Sequence, residues 1–74
     1  MSKRYTVVLE PDMEEGGYTV TVPALPGCVT EGDTVDEALE NAKDTVRSLL
    51  TYLRDNGKPI PEETVAPQVF AIEV

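Results

Sequence analysis

The sequence predicts an α+β domain with the element order β-β-β-α-β, in which one long helix packs on one face of a sheet. Segments of alternating apolar and polar residues, rich in β-branched side chains, stand before and after a single long stretch with helical periodicity. Proline and glycine separate these segments. A chain of 74 residues has room for one domain, so we assign residues 1–74 to a single domain.

Three strands are predicted before the helix. Residues 4–10 and residues 18–22 alternate, and an acidic loop that ends in two glycines joins them as an antiparallel pair. Pro23 ends the second strand because proline cannot donate a ladder hydrogen bond. A tight corner then leads to a short third strand over residues 28–31.

The helix is predicted over residues 34–56. Thr34 and Glu37 have the spacing of a capping box at its start, and Asn56-Gly57 supplies a left-handed stop. Apolar residues recur at spacings of three and four: Val35, Ala38, Leu39, Ala42, Val46, Leu49, Leu50 and Leu53. This helix would be about 34 Å long and needs a broad sheet to cover its apolar side.

Residues 68–74 alternate again and predict a fourth strand beside the first, with the sheet order 3-2-1-4. One helix covers one face of that sheet, so we expect the other face and the outer strand to support a homo-oligomer, either a dimer or a tetramer. The alternative is an ordinary solvated sheet face. The candidate oligomer interface consists of Thr6, Val8, Thr19, Thr21, Val69, Phe70, Ala71 and Ile72.

Composition argues against an enzyme. The chain has no histidine and one cysteine, Cys28, so it cannot build a serine–histidine or cysteine–histidine pair, an internal disulfide or a structural zinc site. The glycines match neither a phosphate-binding loop nor a dinucleotide-binding motif. We therefore predict no catalytic residues, no metal and no cofactor, and we interpret Cys28 as a small core hydrophobe.

The formal net charge of −8 indicates the kind of partner. Such a surface repels phosphate backbones, so we expect no direct nucleic-acid binding, whereas a basic protein would be attracted. The candidate partner-binding residues are Glu10, Asp12, Glu14, Glu15, Glu31 and Asp33. The alternatives are solvated charge that keeps a small protein in solution, and a remnant metal-dependent nuclease that uses these acidic loops.

The sequence also predicts a location. The N-terminal apolar run is too short for a secretory signal, and no stretch approaches the length of a membrane span. Together with the unpaired cysteine, these features predict a cytoplasmic protein without membrane association.

One stretch after the second strand resembles the signature of the HicB antitoxin family. The residues that carry it are Pro23, Leu25, Pro26, Gly27, Cys28, Gly32, Thr34, Glu37 and Ala38. The Gly-x-x-Ile-Pro turn at residues 57–61 is similar to the family as well. The resemblance implies a partial ribonuclease H-like fold and a protein partner, a small basic RNA-cleaving toxin of the HicA type. Many family members continue into a DNA-binding module, and the sequence shows no such segment.

The leading hypothesis is a non-enzymatic antitoxin that occludes a HicA-type toxin. The alternative is an orphan HicB-like module with a structural or regulatory role and no toxin. A short basic protein encoded by the adjacent gene would favour the antitoxin.

Overall fold

Three antiparallel strands and one helix form the fold of the computed structural model, which describes residues 3–63 and 67–74. The elements of this described part are β1 (Val8–Pro11), β2 (Tyr18–Thr21), β3 (Val29–Gly32) and α1 (Val35–Asp55). The sheet order is β1-β2-β3, and both neighbouring pairs are antiparallel. The predicted α+β class and the three-stranded meander followed by a helix are confirmed.

The corner between β2 and β3 is a tight turn that the sequence dictates. The Cys28 amide donates to the Leu25 carbonyl at 2.9 Å, and Gly27 between them has a φ of 84°. Proline at the second position and a positive φ at the third define a type II turn, which glycine adopts without strain. The Leu25 side chain is 1% exposed, so this turn also anchors the core.

Both ends of α1 follow the predicted capping chemistry. The Glu37 amide donates to the Thr34 hydroxyl at 3.1 Å, which satisfies an N–H group that the helix leaves free. At the other end, the Lys58 amide donates to the Leu53 carbonyl at 2.8 Å, and the Gly57 amide donates to the Arg54 carbonyl at 3.1 Å. These two bonds form a Schellman motif, in which Gly57 is the left-handed residue.

The core lies between α1 and the sheet in two clusters. Val20 packs with Ala38 and Ala42, and the second cluster joins Val22, Leu25 and Cys28. The two alanines let the helix approach the sheet closely. α1 packs mainly against β3 and β2, so it covers the sheet unevenly and leaves space beside β1.

The predicted fourth strand needs correction. Residues 67–74 do not form a strand, and the described sheet has three strands in the order β1-β2-β3 rather than four in the order 3-2-1-4. The side chains of Val69, Phe70 and Ile72 are 88%, 79% and 83% exposed. The alternation of apolar and polar residues makes this segment suitable for a strand. A strand forms only where a neighbouring strand accepts its hydrogen bonds, and residues 67–74 do not pair with the described sheet.

Candidate partner-binding surface

The sheet register gathers the predicted acidic residues at one end of the molecule. Pro11 at the end of β1 pairs with Tyr18 at the start of β2, and Tyr18 pairs with Gly32 at the end of β3. The loop after β1 and the loop after β3 therefore lie side by side. We call this region the acidic end; it comprises Glu10, Asp12, Glu14, Glu15, Glu31 and Asp33.

Glu10 and Glu31 flank one position of the central strand. Both residues are paired with Thr19, from opposite sides, and all three are exposed. Two strand spacings place the Cα atoms of the glutamates about 10 Å apart on the same face. Their carboxylates project on the side of the sheet that α1 does not cover, because the neighbouring residue Val20 is buried under the helix.

Asp12 stabilises the acidic loop through hydrogen bonds. One of its carboxylate oxygens accepts hydrogen bonds from the amides of Glu14 and Glu15 at 3.0 and 3.1 Å. The Gly16 amide donates to the Asp12 carbonyl at 2.9 Å, which closes the turn. Asp12 thus shapes the loop that presents Glu14 and Glu15 to solvent.

Asp33 joins the same surface through the start of α1. Its amide donates to the Glu37 side chain at 3.1 Å, while its own carboxylate is left exposed. The Asn41 side chain donates to the Glu31 carbonyl at 2.7 Å and ties α1 to β3. Hydrogen bonds between β3, the loop after it and α1 therefore hold this part of the acidic end in place.

Positive charge lies elsewhere in the fold. Within the described residues, the ion pairs are Lys3 with Glu62, Lys43 with Glu40, Arg47 with Asp44, and Arg54 with Asp55. None of these pairs includes a member of the acidic end. Uncompensated carboxylates at one end produce a negative potential that attracts a basic surface.

The uncovered sheet face, which we call the open face, is least polar at the end of the sheet opposite the acidic end. Val8, Thr21 and Val29 form one row across the three strands. Val29 is 57% exposed and was missing from the predicted interface, although alternation from the inward Cys28 could have identified it. Thr6 was expected on this face, and its hydroxyl and amide instead donate to the carboxylate of Glu63.

The other predicted interface residues do not join the open face. Val69, Phe70, Ala71 and Ile72 are exposed and unpaired with the described sheet. Val8, Thr19 and Thr21 are the predicted members that the sheet brings together. The candidate oligomer interface is therefore divided between the sheet and the C-terminal segment.

The signature residues build the opposite end of the sheet and the helix start. Leu25 and Cys28 are buried, Gly27 forms the turn, and Gly32 contacts the first turn of α1. Burial raises the pKa of the Cys28 thiol, because desolvation disfavours the thiolate. The thiol is therefore protonated at neutral pH, as a core side chain would be.

Within residues 3–63 and 67–74, no group of three or more histidine, cysteine, aspartate or glutamate residues is arranged to hold a metal ion. The helix of this part lacks the combination of length and apolarity that a bilayer crossing requires.

Comparison with known proteins assigns the family. A family model described as the HicB-like antitoxin of bacterial toxin–antitoxin systems matches residues 5–72. The match extends from the residues before β1 through the helix and into the C-terminal segment. The chain therefore belongs to the HicB-like antitoxin family.

Individual relatives fall into two length classes. The UPF0150 protein Ta0767 of Thermoplasma acidophilum is 45% identical over 60 residues, which cover 81% of this chain and 86% of that protein. Antitoxin HicB 1 of Photorhabdus laumondii subsp. laumondii is 50% identical over 60 residues, covering 78% of this chain and 38% of the relative. Antitoxin HicB of Escherichia coli K12 is 40% identical over 58 residues, covering 78% and 41%. The chain thus spans less than half the length of the two named antitoxins.

Proposed function

We propose that this chain is a non-enzymatic antitoxin domain that binds a small basic toxin of the HicA type and covers its active surface. The acidic end carries the proposal, because it is an uncompensated cluster of carboxylates on a rigid sheet end. The chain would act in the cytoplasm as a single domain and as a homo-oligomer, and it would not contact nucleic acid itself.

Electrostatics supports the choice of partner. The chain has a net charge of −8, and the acidic end lies apart from the ion pairs of α1. A basic protein would be steered towards this end, and its lysine or arginine side chains would reach Glu10 and Glu31 on either side of Thr19. Occlusion is then steric, since a protein docked on a basic active surface excludes RNA from it.

The test compares two double charge reversals that change the net charge equally. Glu10→Lys with Glu31→Lys alters the acidic end, and Asp44→Lys with Asp55→Lys alters α1 outside it. Binding of a HicA-type toxin encoded in the same genome is measured by titration calorimetry at two salt concentrations. We expect the first variant to bind at least tenfold more weakly, which corresponds to about 1.4 kcal/mol, and the second to stay within about threefold.

Growth rescue provides the functional readout. Co-expression of the unaltered chain should restore growth of cells that express the toxin, and the variant of the acidic end should restore it less well. Equal losses in both double variants would show that only net charge matters. A toxin that is neither bound nor neutralised would refute the antitoxin function.

A second candidate is an orphan HicB-like module without a toxin. Its similarity to Ta0767 favours it, since this relative is 45% identical and its name, a UPF0150 protein, states no toxin or antitoxin. Pull-down with the purified chain, followed by identification of the bound protein, separates the candidates. Recovery of a basic ribonuclease supports the antitoxin, and reproducible recovery of only a different partner supports the orphan module.

A further inference from the structure

The open face of the sheet carries two rows of side chains with different chemistry. The first row crosses the three strands near the corner between β2 and β3 and consists of Val8, Thr21 and Val29. The second row lies about 7 Å nearer the acidic end and consists of Glu10, Thr19 and Glu31. One flat surface therefore presents methyl groups and carboxylates side by side.

Both rows are accessible to an incoming molecule. Val29 is 57% exposed, and the three residues of the second row are exposed as well. The large apolar side chains of residues 69–74 are at least 79% exposed, so they do not pack on this face. The described part of the chain thus leaves Val29 and the second row open to solvent.

The charge of the second row indicates which occupant fits. Glu10 and Glu31 take part in none of the ion pairs of the described residues. They stand on either side of Thr19, so a lysine or arginine side chain above Thr19 would lie between two carboxylates. The Thr19 hydroxyl can accept a further hydrogen bond from the same cation. The open face therefore fits a basic protein.

A second copy of the chain does not fit this face. The two rows of a copy offer only carboxylates, hydroxyls and methyl groups. Elsewhere on a copy, four of the six basic side chains are already paired with carboxylates. Burying Glu10 and Glu31 against a copy would remove two charges from water without supplying a cation, which is strongly unfavourable.

We propose that the basic partner docks flat on the open face, with a cationic side chain over Thr19 and an apolar side chain against Val29. The inference rests on the proposed function and specifies the docking surface within it. That surface is the face of the sheet rather than the loop at its tip, where Glu14 and Glu15 stand.

The two rows contribute to binding in different ways. Contact between an apolar side chain and Val29 removes methyl groups from water, and salt does not screen this contribution. Salt does screen the attraction between the cation and the carboxylates of the second row. A partner reaches both rows with side chains about 6–7 Å apart, a separation found between alternate residues of a strand or between residues one helical turn apart.

Two double charge reversals within the acidic end separate docking on the face from docking on the tip. Glu10→Lys with Glu31→Lys alters the second row. Glu14→Lys with Glu15→Lys alters the loop, where Asp12 still bonds the backbone amides. Both variants change the net charge equally. In calorimetric titration with a HicA-type toxin encoded in the same genome, we expect binding about tenfold weaker or more for the first and within about threefold for the second. Equal losses, or a larger loss for the loop variant, would overturn docking on the face.

A matched pair of valine substitutions tests the apolar contact. Val29→Thr exchanges a methyl group for a hydroxyl, and Val35→Thr makes the same exchange at a comparably exposed valine at the start of α1. We expect Val29→Thr to weaken toxin binding roughly fivefold at both low and high salt, and Val35→Thr to bind like the unaltered chain. No loss for Val29→Thr, or a loss that disappears at high salt, would contradict the apolar contact.

Methyl NMR of the full chain identifies the occupant. Addition of unlabelled toxin should shift the methyl signals of Val8, Thr21 and Val29 and leave those of Val35 unchanged. If the same signals shift when the chain alone is concentrated, a second copy occupies the face and the proposal is wrong. Toxin binding that none of the open-face variants affects would refute this docking mode but not the antitoxin function, whereas a toxin that is not bound at all would refute both.

Discussion

Gly32 is the position where adding a single methyl group should damage the fold most. A Cβ atom there would stand 2.4 Å from the Ala38 nitrogen, 2.6 Å from the Ala38 Cα and 2.9 Å from the Glu37 carbonyl carbon. All three are backbone atoms of the first turn of α1, so no side-chain rotation can relieve the contact. The whole turn must move away from β3.

The magnitude follows from what that movement disrupts. Ala38 and Val20 are both 0% exposed and pack together, so a shifted helix opens the first core cluster. Overpacking of a core costs about 1–3 kcal/mol, and we expect Gly32→Ala to reach about 3 kcal/mol because the obstructing atoms are backbone. The whole domain is stable by only about 4–11 kcal/mol at typical values per residue, so this loss is large.

Gly27→Ala is the matched control, since it adds the same methyl group with a different consequence. Gly27 has a φ of 84° and no atom within 4 Å of the added Cβ, so only backbone strain opposes the substitution. That strain costs about 1–2 kcal/mol. Urea unfolding followed by far-ultraviolet circular dichroism, at one fixed protein concentration, measures both variants.

Thermal unfolding gives a second measure. A loss of 3 kcal/mol corresponds to a drop in Tm of about 12–24 °C for a domain of this size, against about 4–16 °C for Gly27→Ala. If Gly32→Ala destabilises the protein no more than Gly27→Ala, the close contact between β3 and α1 is not a determinant of the fold.

Two further substitutions test local chemistry. Thr34→Ala removes the hydroxyl that accepts the Glu37 amide hydrogen bond and should lower the free energy of unfolding by about 1 kcal/mol in urea titrations, whereas Thr34→Ser should retain most of it. Burial raises the pKa of the Cys28 thiol, so the folded state holds its proton more tightly than the unfolded state. The resulting stabilisation is complete below the unfolded thiol pKa of about 8.5 and is lost as the pH rises through the higher folded value. Cys28→Ala should therefore show a smaller decline of stability above pH of about 8.5 than the unaltered chain, and parallel declines in the two proteins would contradict this.

The elements that the sequence predicted best are those whose determinants are local. Thr34 caps the start of α1 and Asn56 caps its end, as the Thr34–Glu37 spacing and the Asn56-Gly57 pair predicted. These signals act within one turn of the helix. The Leu25–Cys28 corner has the positive φ that Gly27 indicated. Capping and turn chemistry depend on neighbours in sequence, which a single chain displays completely.

The elements that were predicted less well depend on partners that are distant in sequence. β1 begins at Val8 rather than at residue 4, since β2 ends at Thr21 and supplies no ladder beyond it. Residues 68–74 have a strand pattern, but whether a strand pairs within its own chain depends on geometry that alternation does not encode. For the candidate site, the sequence proposed six acidic residues, and their role in partner binding stays a prediction. Their position at one end of the sheet follows from the antiparallel register, which the sequence pattern does not display.

The separation of charge suggests how one small chain can bind both a copy of itself and a basic partner. Four of the five basic side chains that line the groove between the segment before β1 and α1 are paired with carboxylates. Glu10 and Glu31, by contrast, take part in none of the ion pairs of the described residues and lie near the ends of strands on the face that α1 does not cover. Self-association through the outer edge of β1 would leave both glutamates exposed, because they project from the face of the sheet and not from its edge. Each dimer would then present two acidic ends, and a toxin that is itself dimeric would bind with an effective concentration set by their spacing. Variants that abolish dimerisation should therefore weaken binding to a dimeric toxin more than binding to a monomeric one.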